Sequence, residues 1–182
     1  MHFVAKKNGK RRMVQDYYYI NQWTVKNEYP LPLIADILDG VGKRKVFIKL
    51  DLRWGYNNVK IKEGNKWKAA FTTHIGAYEP TVMYFGLTNF PTTFQTMMNN
   101  LFQDLINQGD TVTFINNILV AIDTEEGHDE LVEKVLKRLE ENDLFVKPKK
   151  CKQKVREVEF LGVIIGPRGV EMQKEKVKGV LN

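Results

Sequence analysis

The chain has 182 residues, 43% hydrophobic and 27% charged, and a net charge of +6. That length buries one core or two closely packed subdomains, and the composition is of the globular kind. No apolar run nears the roughly 18 residues of a membrane span, no signal peptide opens the chain, and the single Cys151 excludes an internal disulfide and fits a reducing, intracellular setting, cytoplasmic or nuclear.

In chain order, "VAKKNGKRRMV" predicts a β-hairpin with Asn8-Gly9 at its tip and a crowd of basic residues around it: Lys6, Lys7, Lys10, Arg11 and Arg12. "YPLPLIADILDGVG" reads as a short helix with Pro32 in its first turn and Gly40 as its stop. "VFIKLDL" alternates as a strand, with Val46, Ile48, Leu50 and Leu52 on one face and Phe47, Lys49 and Asp51 on the other. "KAAFTTHIGAYEPTVMYF" predicts two strands around a turn at Ile75 to Ala77. A helix follows, with Pro91 near its start and Phe94, Met97, Met98, Leu101, Phe102 and Leu105 on one stripe, ending at Gly109-Asp110.

The next segment, from Thr111 to Asp123, is a hairpin containing "FINNILVAID". Two apolar runs flank Asn116 and Asn117, and Asn tolerates the left-handed backbone of a tight turn. A second amphipathic helix runs from about Thr124 with Leu131, Val132, Val135, Leu136 and Leu139. A second basic crowd, Lys147, Lys149, Lys150, Lys152, Lys154 and Arg156, leads into short strands around "VEFLGVII" and a Gly-rich turn, "GPRGVEM". The two basic clusters have the electrostatic footprint of phosphate binding, or of a solvated face. Helices segregated among antiparallel hairpins give an α+β pattern. Three scattered histidines, His2, His74 and His128, have no zinc-like spacing.

"KLDLRWGY", "FGLTNFPTTFQTMMN" and "FINNILV", in this order and at these spacings, resemble the reverse transcriptases of gypsy-like long-terminal-repeat retrotransposons, and look closest to those of fungal elements. The resemblance runs from "KKNGKRRMVQDYYYIN" to "FLGVIIGPRGVEM". It implies a right-hand polymerase: an antiparallel palm sheet backed by helices (about 46–64 and 86–182) and partial fingers (about 1–45 and 65–85), in one domain, 1–182, without a thumb.

Such enzymes hold two Mg²⁺ (or Mn²⁺) ions with one Asp on the first palm strand and an Asp pair in a Tyr/Phe-x-Asp-Asp hairpin. Asp51 matches the first, and Asn116 and Asn117 stand where the pair belongs. The resemblance further implies that Lys6 or Lys7, with Arg12, grips the nucleotide triphosphate. It places Leu52 and Phe85 in the nucleotide pocket and Tyr56 where a ribose 2′-OH is blocked. It also implies that Leu161 and Gly162 position the primer end. Read alone, Tyr56 and Phe85 are core aromatics and Arg12 is a solvated cation. Implied partners are an RNA or DNA template with primer and deoxynucleotide triphosphates, with no membrane. Tyr18 and Thr72 replace common arginines, and Phe90 replaces a small residue beside the nucleotide pocket.

Mg²⁺ requires hard anionic oxygen, and an amide keeps the shape of a carboxylate without its charge. Asp110 and Asp123 lie six residues from the nearer Asn, about 20 Å along an extended strand and beyond ligand reach. The expectation is a fingers–palm domain with Asp51 beside the Asn116-Asn117 hairpin in one sheet, metal binding weak or lost, and catalysis absent or very weak. The alternatives are a nucleic-acid-binding module without chemistry and a structural domain that keeps only the fold. The Asn pair arises either from deliberate near-isosteric replacement or from decay or domestication of an element.

Overall fold

The computed structural model describes residues 2–5, 9, 11–42, 44–124 and 127–173. In chain order the elements are β1 (His2–Ala5), β2 (Arg11–Val14), α1 (Tyr18–Trp23), α2 (Ile34–Val41), β3 (Val46–Asp51), β4 (Phe71–Thr73), β5 (Gly76–Tyr78) and α3 (Phe90–Leu101). Then come α4 (Gln103–Asn107), β6 (Thr111–Phe114), β7 (Asn117–Ile122), α5 (His128–Glu141), β8 (Lys152–Val155), β9 (Val158–Phe160), β10 (Val163–Gly166) and β11 (Gly169–Met172). They form two units, Met1–Pro30 with Trp54–Thr96, and Leu31–Arg53 with Met97–Asn182.

In the first unit, β1 and β2 pair antiparallel with Ala5 opposite Arg11. Gly9 has φ +76, the left-handed backbone that an Asn-Gly tip calls for. Lys6, Lys7, Asn8 and Lys10 lie outside the described residues, as do the side chains of Arg12 and Tyr56. β4 and β5 pair with Thr73 opposite Gly76, so their turn is His74-Ile75, earlier than the sequence pattern indicates. Two asparagines tie the segment around α1 to residues 86–89. Asn21 donates to the Gly86 carbonyl at 2.6 Å and accepts from the Thr88 N–H at 2.9 Å. Asn89 accepts from the Asn27 N–H at 2.9 Å and donates to the Val25 carbonyl at 2.7 Å. Gly86 is required there: its φ is +114, and a Cβ would lie 3.0 Å from the Gln15 carbonyl oxygen.

The second unit is built on a four-stranded antiparallel sheet of order β6-β7-β3-β8. Its central strands are buried on both faces, which the alternation of β3 does not reveal. Phe47 is fully buried rather than facing solvent, because α2, β9 and β10 cover that face. Phe47, Leu119 and Ala121 of the sheet pack there with Ile37 and Val41 of α2, Val158 and Phe160 of β9, and Ile165 of β10. β9, β10 and β11 form a separate three-stranded antiparallel sheet. On the opposite face Ile48, Leu50, Ile118 and Val120 are equally buried, and Thr113 donates to the Asn99 side chain of α3 at 2.7 Å.

Helix boundaries depart from the sequence reading in three places. α2 runs through Gly40 and stops at Gly42, with Pro32 ahead of it rather than within it. The predicted stripe from Phe94 to Leu105 is two helices, because Phe102 leaves helical geometry (φ −115, ψ 16) while its side chain stays fully buried. α5 starts at His128, after the predicted start near Thr124. Arg138 of α5 then grips Asp104 of α4 with both terminal guanidinium nitrogens and donates to the Leu101 carbonyl at 3.1 Å.

Candidate active site

Asp51 ends β3 and stands directly opposite Asn117, the first residue of β7. The Leu52 N–H donates to the Asn116 carbonyl at 2.8 Å, which makes 52/116 the hydrogen-bonded pair and 51/117 the closer, non-hydrogen-bonded one. Directly opposed side chains share a face of the sheet with Cβ atoms about 4.5–5.5 Å apart. Asp51 and the hairpin therefore converge.

The hairpin turn is not the Asn pair itself. Phe114 pairs with Asn117, so the two turn residues are Ile115 and Asn116. Ile115 adopts φ +52 while Asn116 keeps negative φ, the pattern of a turn whose first central residue alone is left-handed. A β-branched side chain there is strained.

On its other edge, Asp51 meets the segment that leads into β8. The Lys147 N–H donates to the Asp51 carbonyl at 2.8 Å, and its Nζ donates to Asp51 Oδ1 at 2.7 Å and to the Leu52 carbonyl at 3.0 Å. Lys150 Nζ lies 3.7 Å from Oδ2. The Asp51 side chain is only 10% exposed, so these two ammonium groups are its counter-charges. Sequence reading places Lys147 in a basic phosphate-binding cluster and misses this role. The one local signal is the run Leu144-Phe145-Val146 before it, whose Val146 bridges Leu52.

Leu52 is fully buried beside Asp51. Leu161 and Gly162 form the β9–β10 turn, both at positive φ (+51 and +85), the two-residue geometry that favours Gly at its second position. In the first unit, Phe85 is half-buried with its ring 6.3 Å from that of Phe90, Arg11 is exposed on β2, and Tyr18 and Thr72 are both exposed. At the far end of the β6–β7 hairpin, Arg44 bridges Asp110 and Asp123, at 3.2 and 2.9 Å. Those two acids are engaged away from Asp51.

This architecture is a polymerase one. It matches the foamy viral protease–reverse transcriptase in complex with an RNA/DNA hybrid, with TM-score 0.88 and 26% identity, over 99% of this chain and 24% of that one. A second structure of that protein, dRH in complex with dsDNA, gives TM-score 0.91 and 27% identity over 99% of this chain and 31% of that one. Residues 4–165 match the family described as reverse transcriptase (RNA-dependent DNA polymerase), and the chain belongs to that family. It is 33% identical over 179 residues to the transposon Tf2-7 and Tf2-8 polyproteins of Schizosaccharomyces pombe (strain 972 / ATCC 24843). Those alignments cover 98% of this chain and 13% of each polyprotein, so the chain spans about an eighth of the curated relatives it matches. It is a reverse transcriptase domain of retrotransposon type.

The family implies divalent metal, and the residues at this hairpin do not fit one. Asp51 is the only carboxylate among Asp51, Asn116 and Asn117, and Lys147 sits on it. Among the described residues no group of three His, Cys, Asp or Glu side chains is placed to hold a metal ion.

Proposed function

We propose that this chain is the fingers–palm part of a retroelement reverse transcriptase in which nucleic-acid binding is retained and nucleotidyl transfer is absent or very weak. Fingers are proposed at about 1–45 and 65–85 and palm at about 46–64 and 86–182, and the Asn pair occupies the positions of the family's catalytic acids. One observation carries this reading: the Asp51 carboxylate faces an amide, Asn117, and is neutralised by lysine. In-line nucleotidyl transfer needs charge stabilisation at the attacking and leaving oxygens, and this donor set has one anion where the family has three.

Binding is supported by the chemistry of the β8 side, where Lys149, Lys152, Lys154 and Arg156 are all exposed, and by relatives solved with an RNA/DNA hybrid and with dsDNA. The remaining roles are proposed with the resemblance: Lys6, Lys7 and Arg12 toward a triphosphate, Leu52, Tyr56 and Phe85 around a nucleotide, Leu161 and Gly162 at a primer end. A fungal element is the proposed source, given the similarity to the Tf2 polyproteins.

The test pairs two measurements on the chain, fluorescence anisotropy with a labelled RNA/DNA primer–template across a salt series, and primer extension with Mg²⁺ or Mn²⁺. The expected result is affinity that falls steeply with salt, without extension. Extension at ordinary polymerase rates overturns the inactive reading. Binding indifferent to salt overturns the nucleic-acid reading and leaves a structural domain.

A further inference from the structure

The disagreement between this donor set and a metal site has a specific form. We infer that the Lys147 ammonium is the resident cation of the Asp51 site and excludes a divalent metal while it is there. Three observations converge on this. Lys147 is fixed at the backbone as well as the side chain: its N–H donates to Asp51, and its carbonyl accepts from the Lys150 N–H at 2.9 Å and from Cys151 Sγ at 3.2 Å. Its Nζ is therefore delivered to Oδ1 by the sheet edge itself, at 2.7 Å, within the range of charge-assisted hydrogen bonds. Both carboxylate oxygens have an ammonium neighbour, so one negative charge faces two positive ones.

A divalent cation entering this site meets net positive charge and, among the described residues, no group of acids placed to hold it. A carboxylate on the hairpin alone is not enough to reverse that, because Asp51 would still be bonded to Lys147. Restoring a metal site therefore takes two kinds of change, acids at 116 and 117 and removal of the lysine. This rests on the reading of the Asn pair as the lost metal ligands, but not on nucleic-acid binding.

The probe is Mn²⁺, counted as free ion by electron paramagnetic resonance, on the chain and three variants: Asn116→Asp with Asn117→Asp, Lys147→Met, and all three together. The parent and Lys147→Met should show no site. The triple variant should bind about tenfold or more tightly than the Asn116→Asp, Asn117→Asp pair, because the ion no longer has to displace a charge-assisted hydrogen bond from Asp51. Equal affinity in those two variants overturns the role of Lys147. A triple variant that binds no better than the parent overturns it too. A double-mutant cycle keeps the inference testable if the triple variant folds poorly. Asp51→Asn and Lys147→Met should each lower the urea midpoint, and together by clearly less than their sum. Strict additivity would mean the pair is not coupled. Primer–template binding by the parent is scored separately, so loss of salt-dependent binding touches only the proposed function.

Discussion

Asp51 and Asn117 face one another across the β3–β7 ladder, the last residue of one strand against the first of the next. Their closeness gives Asn117→Asp a cost. Two like charges directly opposite in a sheet are destabilising, and Lys147 and Lys150, already engaged with Asp51, offset only part of that. Asn116 is a turn residue that lies opposite Leu52 rather than Asp51, so Asn116→Asp should do less. Urea denaturation at neutral pH, with unchanged m, should rank the two in that order.

The core on the Asp51 face predicts a larger effect. Phe47 and Phe160 are fully buried in one cluster with Leu119 and Ala121. Phe47→Ala should cost about 3–5 kcal/mol, lost transfer energy plus the cavity left behind. A cost under about 1 kcal/mol by urea unfolding would mean that α2 and β9 do not cover this face in solution.

The buried face of β3 was only half legible in the sequence. Alternation marks Val46, Ile48, Leu50 and Leu52 as one apolar face, and they are indeed buried. It says nothing of what will cover Phe47, since α2 and β9 are contributed by distant segments. The Asn pair was legible as part of a hairpin but not in its register. Propensity favours Asn at left-handed positions, yet Ile115 takes the left-handed backbone while Asn117 enters the ladder. Register here follows packing: Ile118, Leu119 and Val120 are all fully buried, and a one-residue slip would move each side chain into the core on the opposite face, among differently shaped neighbours. The Lys147–Asp51 pair spans 96 residues of sequence, and neither residue alone signals the other.

Ile115 offers a test of turn strain. A left-handed non-glycine residue costs on the order of 1–2 kcal/mol. Ile115→Gly should raise stability by about 1 kcal/mol after the entropy a glycine adds to the unfolded chain. Ile115→Ala keeps a Cβ at the same φ and should give no gain. A lower midpoint for the Gly variant would mean that contacts of the half-buried isoleucine outweigh the strain.

Acid sensitivity should trace in part to Asp104. Side-chain hydrogen bonds from Arg138, then from Lys134, hold its carboxyl well below the usual carboxylate range. Its folded pKa is depressed, so the stability it contributes is present above the unfolded value near 4 and is lost as pH falls below that toward the folded value. Asp104 is 44% exposed, so solvent screening keeps the contribution modest. Thermal melts between pH 6 and pH 2 should fall less steeply for Asp104→Asn than for the parent. Parallel curves would show that the α4–α5 contact is not electrostatic.

The basic stretch at β8 predicts which lysines contact phosphate. Lys149 and Lys152 are exposed, whereas the Lys154 ammonium lies 2.8 Å from Asp129 and lowers that carboxyl through a hydrogen bond. A lysine already paired must break its pair to reach a phosphate, so its net gain on binding is smaller. Each duplex phosphate neutralised contributes roughly 0.9 to the slope of log affinity against log salt. Lys149→Gln with Lys152→Gln should therefore lower that slope by up to about 2 and weaken binding at low salt. Lys154→Gln should change it little. Anisotropy titrations of one primer–template duplex across a salt series measure both. If Lys154→Gln flattens the slope and the Lys149, Lys152 pair does not, phosphate runs along the Asp129 side of β8, and the contacts must be reassigned to that edge.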